Sequence, residues 1–192
     1  MKTRLSLPTS AGIFAAIFVF AGAAELAMGR HLWGINNVPG IWSGDIWSSH
    51  NSQFLTDPYT FSHLTHGMLM FGACWLIAGS LPVPLRALIT LIVEATWEVV
   101  ENTDLMIHRY RAATISLNYY GDSVLNSMCD IAACMIGFSL AYLLPTRVTI
   151  VAVILLELML ALWIRDSLLL NILMLLHPIP AIRTNLSISA SC

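Results

Sequence analysis

Charge is what this sequence has least of. Only 10% of its 192 residues are Asp, Glu, Lys or Arg, while 57% are apolar. A soluble domain carries about 25% charged residues, so this shortage sets aside an ordinary water-soluble fold. The formal net charge of −2 leaves no basic footprint, which removes nucleic acid as a partner. Cysteine is scarce as well. Cys74, Cys129, Cys134 and Cys192 contain no Cys-x-x-Cys pair, and three of them fall in apolar runs. They read as small buried residues rather than a disulfide or zinc framework. No internal repeat or low-complexity linker divides the chain, so 1–192 reads as a single integral membrane domain.

What is present is apolar length. A membrane-spanning helix needs roughly 17–25 mostly apolar residues, and the runs 11–28, 61–81, 85–101, 123–144 and 148–164 meet that requirement. The first run, with Lys2 and Arg4 ahead of it and "AGAA" near its end, also has the shape of a cleavable signal peptide. Its length and Glu25 favour a retained span. Pro82 and Pro84 turn the chain into the third run, and Pro145 stops the fourth. The stretch 167–176, "SLLLNILMLL", is too short to cross and reads as a re-entrant, interfacial or packed half-helix. The expected fold is an all-α polytopic transmembrane bundle of about five spanning helices plus this short C-terminal half-helix. Turns 82–84 and 145–147 are minimal, whereas 29–61 and 102–122 are long and fall on one shared side. Lys2 and Arg4 place the N-terminus in the cytoplasm and the long loops outside.

The polar residues inside these runs are not scattered. Asp122, Asn126 and Asp130 recur every fourth residue at the head of the fourth run, the latter two roughly 6 and 12 Å deeper than the first. His63 and His66 open the second run on the same side. Glu94, Glu98 and Glu101 share a face at the end of the third, and Glu25 ends the first. Glu157, near the middle of the fifth run, is the exception. Facing lipid, each mid-depth charge would cost about 2.5–3.5 kcal/mol. The groups must therefore face one another or water, in a polar cavity between the second, third and fourth runs.

His63-x-x-His66 places two imidazoles about 60° apart on one helix face, close enough to share a metal. A carboxylate from Glu98, Glu101, Asp122 or Asp130 would complete a two-His, one-carboxylate site for a divalent metal such as zinc. The other reading is interhelical glue, the histidines bonding to the carboxylates. Asp122, Asn126, Asp130, Glu98 and Glu101 are the candidate catalytic groups. Glu94, Glu98 and Glu101 are also too many anions to ionise together, which suits a proton relay. Arg109 and Arg111 are candidate substrate ligands for a phosphate or headgroup, with Asn51, Ser52 and Gln53 beside them. Anchoring of the same loop by Tyr110, Tyr119 and Tyr120 is the plainer alternative. Trp33, Trp42 and Trp47 read as an aromatic belt. Arg165 and Asp166 read as a local ion pair, and Asn171 as a partner for nearby backbone.

"NSQFLTDPYTFSHLTHG" (51–67), "EATWEVVEN" (94–102), "RYRAATISLNYYGDSVLNSMCD" (109–130) and "IRDSLLLNILMLL" (164–176) resemble an uncharacterised family of bacterial multi-pass membrane proteins, a domain of unknown function. The resemblance covers roughly 25–182. Family members carry cysteines where this chain reads "HLWGINNVPGIWSGDIW" (31–47), so it implies no cysteine chemistry in that loop. A weaker likeness is to VanZ-like membrane proteins, matched by Arg109 or Arg111, Asp122, Asn126 and Gly137. The resemblance implies a multi-pass protein of the bacterial inner membrane with lipid around it, and no activity. Three function classes stay open: an enzyme on a lipid-linked or amphipathic envelope substrate, a small proton- or ion-coupled transporter, and a non-catalytic assembly or lipid-binding subunit.

Overall fold

A computed structural model of the chain describes residues 7–35, 38–116 and 118–179, with side chains from residue 11 onward. Lys2 and Arg4, on which the inside N-terminus rests, lie outside the described residues, as does Cys192. The described residues form seven helices and no strand; the sole extended pairing is an isolated bridge between Trp42 and Thr56. The helices are α1 (Leu7–Ala27), α2 (Thr60–Ile77), α3 (Val83–Glu101), α4 (Asp104–Ala113), α5 (Val124–Leu143), α6 (Thr146–Trp163) and α7 (Leu168–Leu176).

Local chemistry sets most of these boundaries. α1 ends where Gly29 takes a left-handed φ of 84°, letting Arg30 N–H reach back to the Glu25 carbonyl at 3.0 Å. Pro82 and Pro84 start α3, and Pro145 starts α6. Ser123 caps α5 by accepting from Asn126 N–H, and Ser167 caps α7 by accepting from Leu170 N–H. The 102–122 segment departs from the loop expected of it, because ten of its residues form α4. Thr103 accepts from Met106 N–H there, and Asp104 and Arg111 sit at the ends whose partial charges they complement.

Two helices, α5 and α6, are long and apolar enough to cross a membrane by length and composition; α1 carries a shorter apolar stretch, Ala11–Ala27. α3 falls short because Arg86, Glu94, Glu98 and Glu101 dilute it.

α2 and α5 are the tightest pair. A Cβ at Gly67 would overlap the carbonyl oxygen of Cys134, and one at Gly137 would overlap that of Leu64. Only glycine lets these two backbones meet. On the other side, Ala21, Leu91, Ala95 and Ile131 form a buried cluster joining α1, α3 and α5. α6 lies outermost, with Leu160 its sole buried residue.

The two long connections pack on each other at one end, as expected. Gln53 Nε2 donates to the Gly121 carbonyl at 2.8 Å, Ser123 Oγ to the Gln53 carbonyl at 3.0 Å, and Arg30 to the Tyr120 carbonyl at 2.8 Å. The amides that open α5 are satisfied by the loop: Ser123, Val124 and Leu125 donate to the carbonyls of Ser52, His31 and Leu32. Trp42 stacks on Trp163, tying the first loop to α6. α7 folds back beside α6 until its first amides, Leu168 and Leu169, donate to Glu157 at 3.2 and 3.0 Å. Mid-helix Glu157 therefore serves as a helix cap about 9 Å below the end of α6.

Candidate functional site

The start of α2, the end of α3 and the start of α5 converge beneath the loops. His63 and His66 lie one turn apart on α2, with ring centroids 5.1 Å from each other. Both turn Nδ1 toward one oxygen of Glu94, at 2.7 Å from His63 and 3.2 Å from His66. His63 Nδ1 also lies 3.1 Å from Glu98, and its Nε2 lies 4.0 Å from Asp130. A single ring N–H cannot serve Glu94 and Glu98 together, and Glu98 Oε1 and Asp130 Oδ1 have no hydrogen-bond partner among the described residues. Two sets, His63–His66–Glu94 and His63–Glu98–Glu101, bring their ligand atoms within 4.8 Å of one another, the reach of a metal ion.

Above this cluster Asp122 is held from several sides. Tyr119 Oη and Asn102 Nδ2 donate to its Oδ2 at 2.8 and 2.9 Å, and its own N–H donates to Asn102 Oδ1 at 2.7 Å. Burial pushes its carboxyl above the ordinary range, and these donors oppose the push. A cavity of about 80 Å³ opens between the groups, walled by His63, His66, Glu101, Tyr119, Asp122 and Asp130, with α7 on its far side.

The sequence-expected residues divide accordingly. His63, His66, Glu101, Asp122, Asp130 and Asn51 reach the cavity wall, with Ser52 among them and Glu98 directly behind His63. Asn126 does not: it is fully buried and donates to the Leu55 carbonyl at 3.5 Å, pinning the loop. Gln53 faces an adjoining outer cavity instead. Arg109 is committed elsewhere, its guanidinium donating to the Leu175 carbonyl at the C-terminal end of α7. Arg111 lies over the Tyr120 ring, 4.8 Å from its centre, and bonds to His108. Neither arginine lines the cavity beside the histidines.

Other readings are corrected outright. Arg165 and Asp166 form no ion pair. Asp166 is buried, accepts from Tyr59 Oη, Ser167 N–H and Asn171 Nδ2, and so takes the amide that backbone was expected to occupy. Tyr110 and Tyr119 turn into the cavity rather than outward. Glu94 as the shared partner of both histidines and Asn102 as the clamp on Asp122 were not foreseen, whereas the Asx and Pro chemistry of "SHNSQFLTDPYT" does form the structured turn expected of it. In that turn Asp57 accepts from the Ser52 and Tyr59 amides at 2.9 and 2.7 Å.

The family described as "Protein of unknown function (DUF2585)" matches residues 25–187. A UPF0314 protein of Paracoccus denitrificans is 45% identical over 183 residues, covering 95% of this chain and 94% of its own length. UPF0314 proteins of Sinorhizobium fredii and Rhizobium meliloti are 47% and 46% identical over 143 residues, covering 74% of this chain and 73% of theirs. No solved structure matches.

Proposed function

The chain belongs to the DUF2585 family, and from that premise we propose a multi-pass protein of the bacterial inner membrane whose loop-side site binds a divalent cation and acts on a lipid-linked or amphipathic envelope substrate. The observation that carries this reading is the convergence of His63 and His66 on one Glu94 oxygen, 2.7 and 3.2 Å away. Two imidazoles that reach the cavity wall and a buried carboxylate behind them make a donor set that zinc uses in hydrolytic sites. Charge supports it. Glu94, Glu98, Glu101, Asp122 and Asp130 gather around two imidazoles, and a divalent cation offsets an excess of buried anions. When bound, such a cation would make water a nucleophile near neutral pH. Asp122, steadied by Tyr119 and Asn102, is the acid–base group facing the same cavity. At about 80 Å³ the cavity admits the reacting group of a substrate and little more.

The membrane part of the proposal draws on α5 and α6, and on the apolar surface that α6 leaves uncovered on nearly all sides. Five spans follow if α1 is counted and the polar residues of α2 and α3 are excused by the site they enter. The long connections are then external and the N-terminus cytoplasmic.

A second reading has its own observation. His63 touches Glu94 and Glu98 through one nitrogen and approaches Asp130 through the other, which is the layout of a proton relay in a small coupled transporter. Metal analysis of tag-free protein separates the two. The expected result is about one equivalent of zinc or a similar ion, lost in His66→Ala while the fold is kept. Zinc should also raise the melting temperature of stripped protein, by about 2.7 kcal/mol of stability at a hundredfold excess over Kd. Folded protein that neither carries an ion nor responds to one would defeat the cation reading and leave the relay.

A further inference from the structure

Beside the inner cavity lies a larger one of about 270 Å³, near the lower end of the roughly 300–1,000 Å³ of small-molecule sites. It is walled by the loops around Trp47 and Tyr120. Asn51, Ser116 and Tyr119 belong to both cavities, so the two adjoin. Its chemistry differs sharply from that of its neighbour, because no charged side chain is found among its described lining residues. Aromatic rings, amides and hydroxyls make up the wall, from Trp47, Tyr119, Tyr120, Asn51, Gln53 and Ser49.

Two of those amides are half used. Gln53 is 8% exposed and spends its Nε2 on the Gly121 carbonyl, while its buried Oε1 has no partner among the described residues. Asn51 gives its Nδ2 to Ser52 Oγ at 3.4 Å, and its buried Oδ1 has no partner there either. Both vacant atoms are acceptors. Buried acceptors ask for donors, and leaving them without one is costly. A ligand that fits must bring O–H or N–H donors, show an apolar face to tryptophan and tyrosine rings, and carry no charge.

We propose that this outer cavity binds a neutral, hydroxyl-rich group, a sugar ring, with the Gln53 and Asn51 amides turning to bring their enclosed oxygens onto its hydroxyls and Trp47 and Tyr119 against its carbon face. Tyr119 also donates to Asp122, so a sugar seated here abuts the inner cavity. Resting on the reading of that inner site as the reacting centre, the substrate becomes a glycosylated amphiphile.

The test uses the full chain purified in a sugar-free detergent, lauryldimethylamine oxide. Methyl β-D-glucopyranoside and N-acetylglucosamine are titrated by saturation-transfer NMR. Saturable binding of at least one sugar is expected, weakened about tenfold in Trp47→Ala, which removes one aromatic contact at the rim. Gln53→Leu should weaken binding similarly; Trp47→Ala decides the matter should Gln53→Leu fail to fold. Binding should persist in His66→Ala, which separates failure of the cation reading from failure of this one. Absence of saturable binding by folded wild-type protein overturns the proposal. So does equal binding by Trp47→Ala, or a preference for glucose 6-phosphate over the neutral sugars.

Discussion

Burial lifts two carboxyls outside the long helices well above the ordinary range. Burial raises Asp57 to about 6, against the amides of Ser52 and Tyr59 that bond to it, and raises Asp166 to about 7 against Ser167, Tyr59 and Asn171. Each folded value exceeds the ordinary 3.8, so the folded chain holds more protons than the unfolded one across that interval. Stability from these groups is full below about pH 4 and is lost as pH rises through about 6 and 7. The melting temperature should fall between pH 4 and 8, and Asp166→Asn should flatten the upper part of that fall; a rising curve would contradict the assignment. Asp122→Asn should cost about 1–3 kcal/mol in chemical unfolding, because Tyr119 and Asn102 both donate to one oxygen and an amide strands a donor. The i, i+4 pair Asn126–Asp130 was legible in the sequence because that spacing is a property of one helix, whereas Asp122 lies before α5 begins and so shares no helix face with them. The partners of that pair were not. Four residues overshoot a turn by about 40°, and Asn126 faces the Leu55 carbonyl while Asp130, one step on, reaches the cavity wall. Tyr119 suits interface and interior equally, and only the fold of its loop chose.

At the scale of elements, the six apolar segments became α1, α2, α3, α5, α6 and α7 with ends shifted by a few residues. Proline and serine boundaries made that possible. α4 stayed hidden because it has no apolar run, and its helicity comes from the Thr103 cap and packing of Ile107, Tyr110 and Ala113. The α2–α5 contact invites a direct test. Gly67→Ala or Gly137→Ala forces a methyl into facing backbone and should cost at least about 1–3 kcal/mol. Gly12→Ala and Gly72→Ala, whose Cβ would meet nothing within 4 Å, should gain about 0.5–1 kcal/mol. Thermal unfolding in one detergent compares all four, and equal effects would refute the close approach. α7 offers another test, since Glu157 holds its N-terminal end and Arg109 its C-terminal end. Both charges match the helix dipole. Glu157→Lys and Arg109→Glu should each loosen α7, measured as faster hydrogen exchange of Leu170–Leu173. The double exchange should loosen it further, whereas an ion pair would be rescued.

For the molecule as a whole, the packed loops place Ser49 and Asn118 in the wall of one cavity. Single cysteines at either position, in a chain whose own cysteines are replaced by serine, should be labelled from the same face of the membrane. Labelling from opposite faces would refute the topology. Both cavities described lie at the loop end, opposite the Pro82–Pro84 and Pro145 turns. A site reached from that end alone would be a blind alley with one door. Whatever is admitted must back out the way it came, so a spent molecule blocks the next arrival until it leaves. Turnover in such a chamber should show product inhibition strictly competitive with substrate, and net passage from one side of the membrane to the other would require a second opening made by moving whole helices.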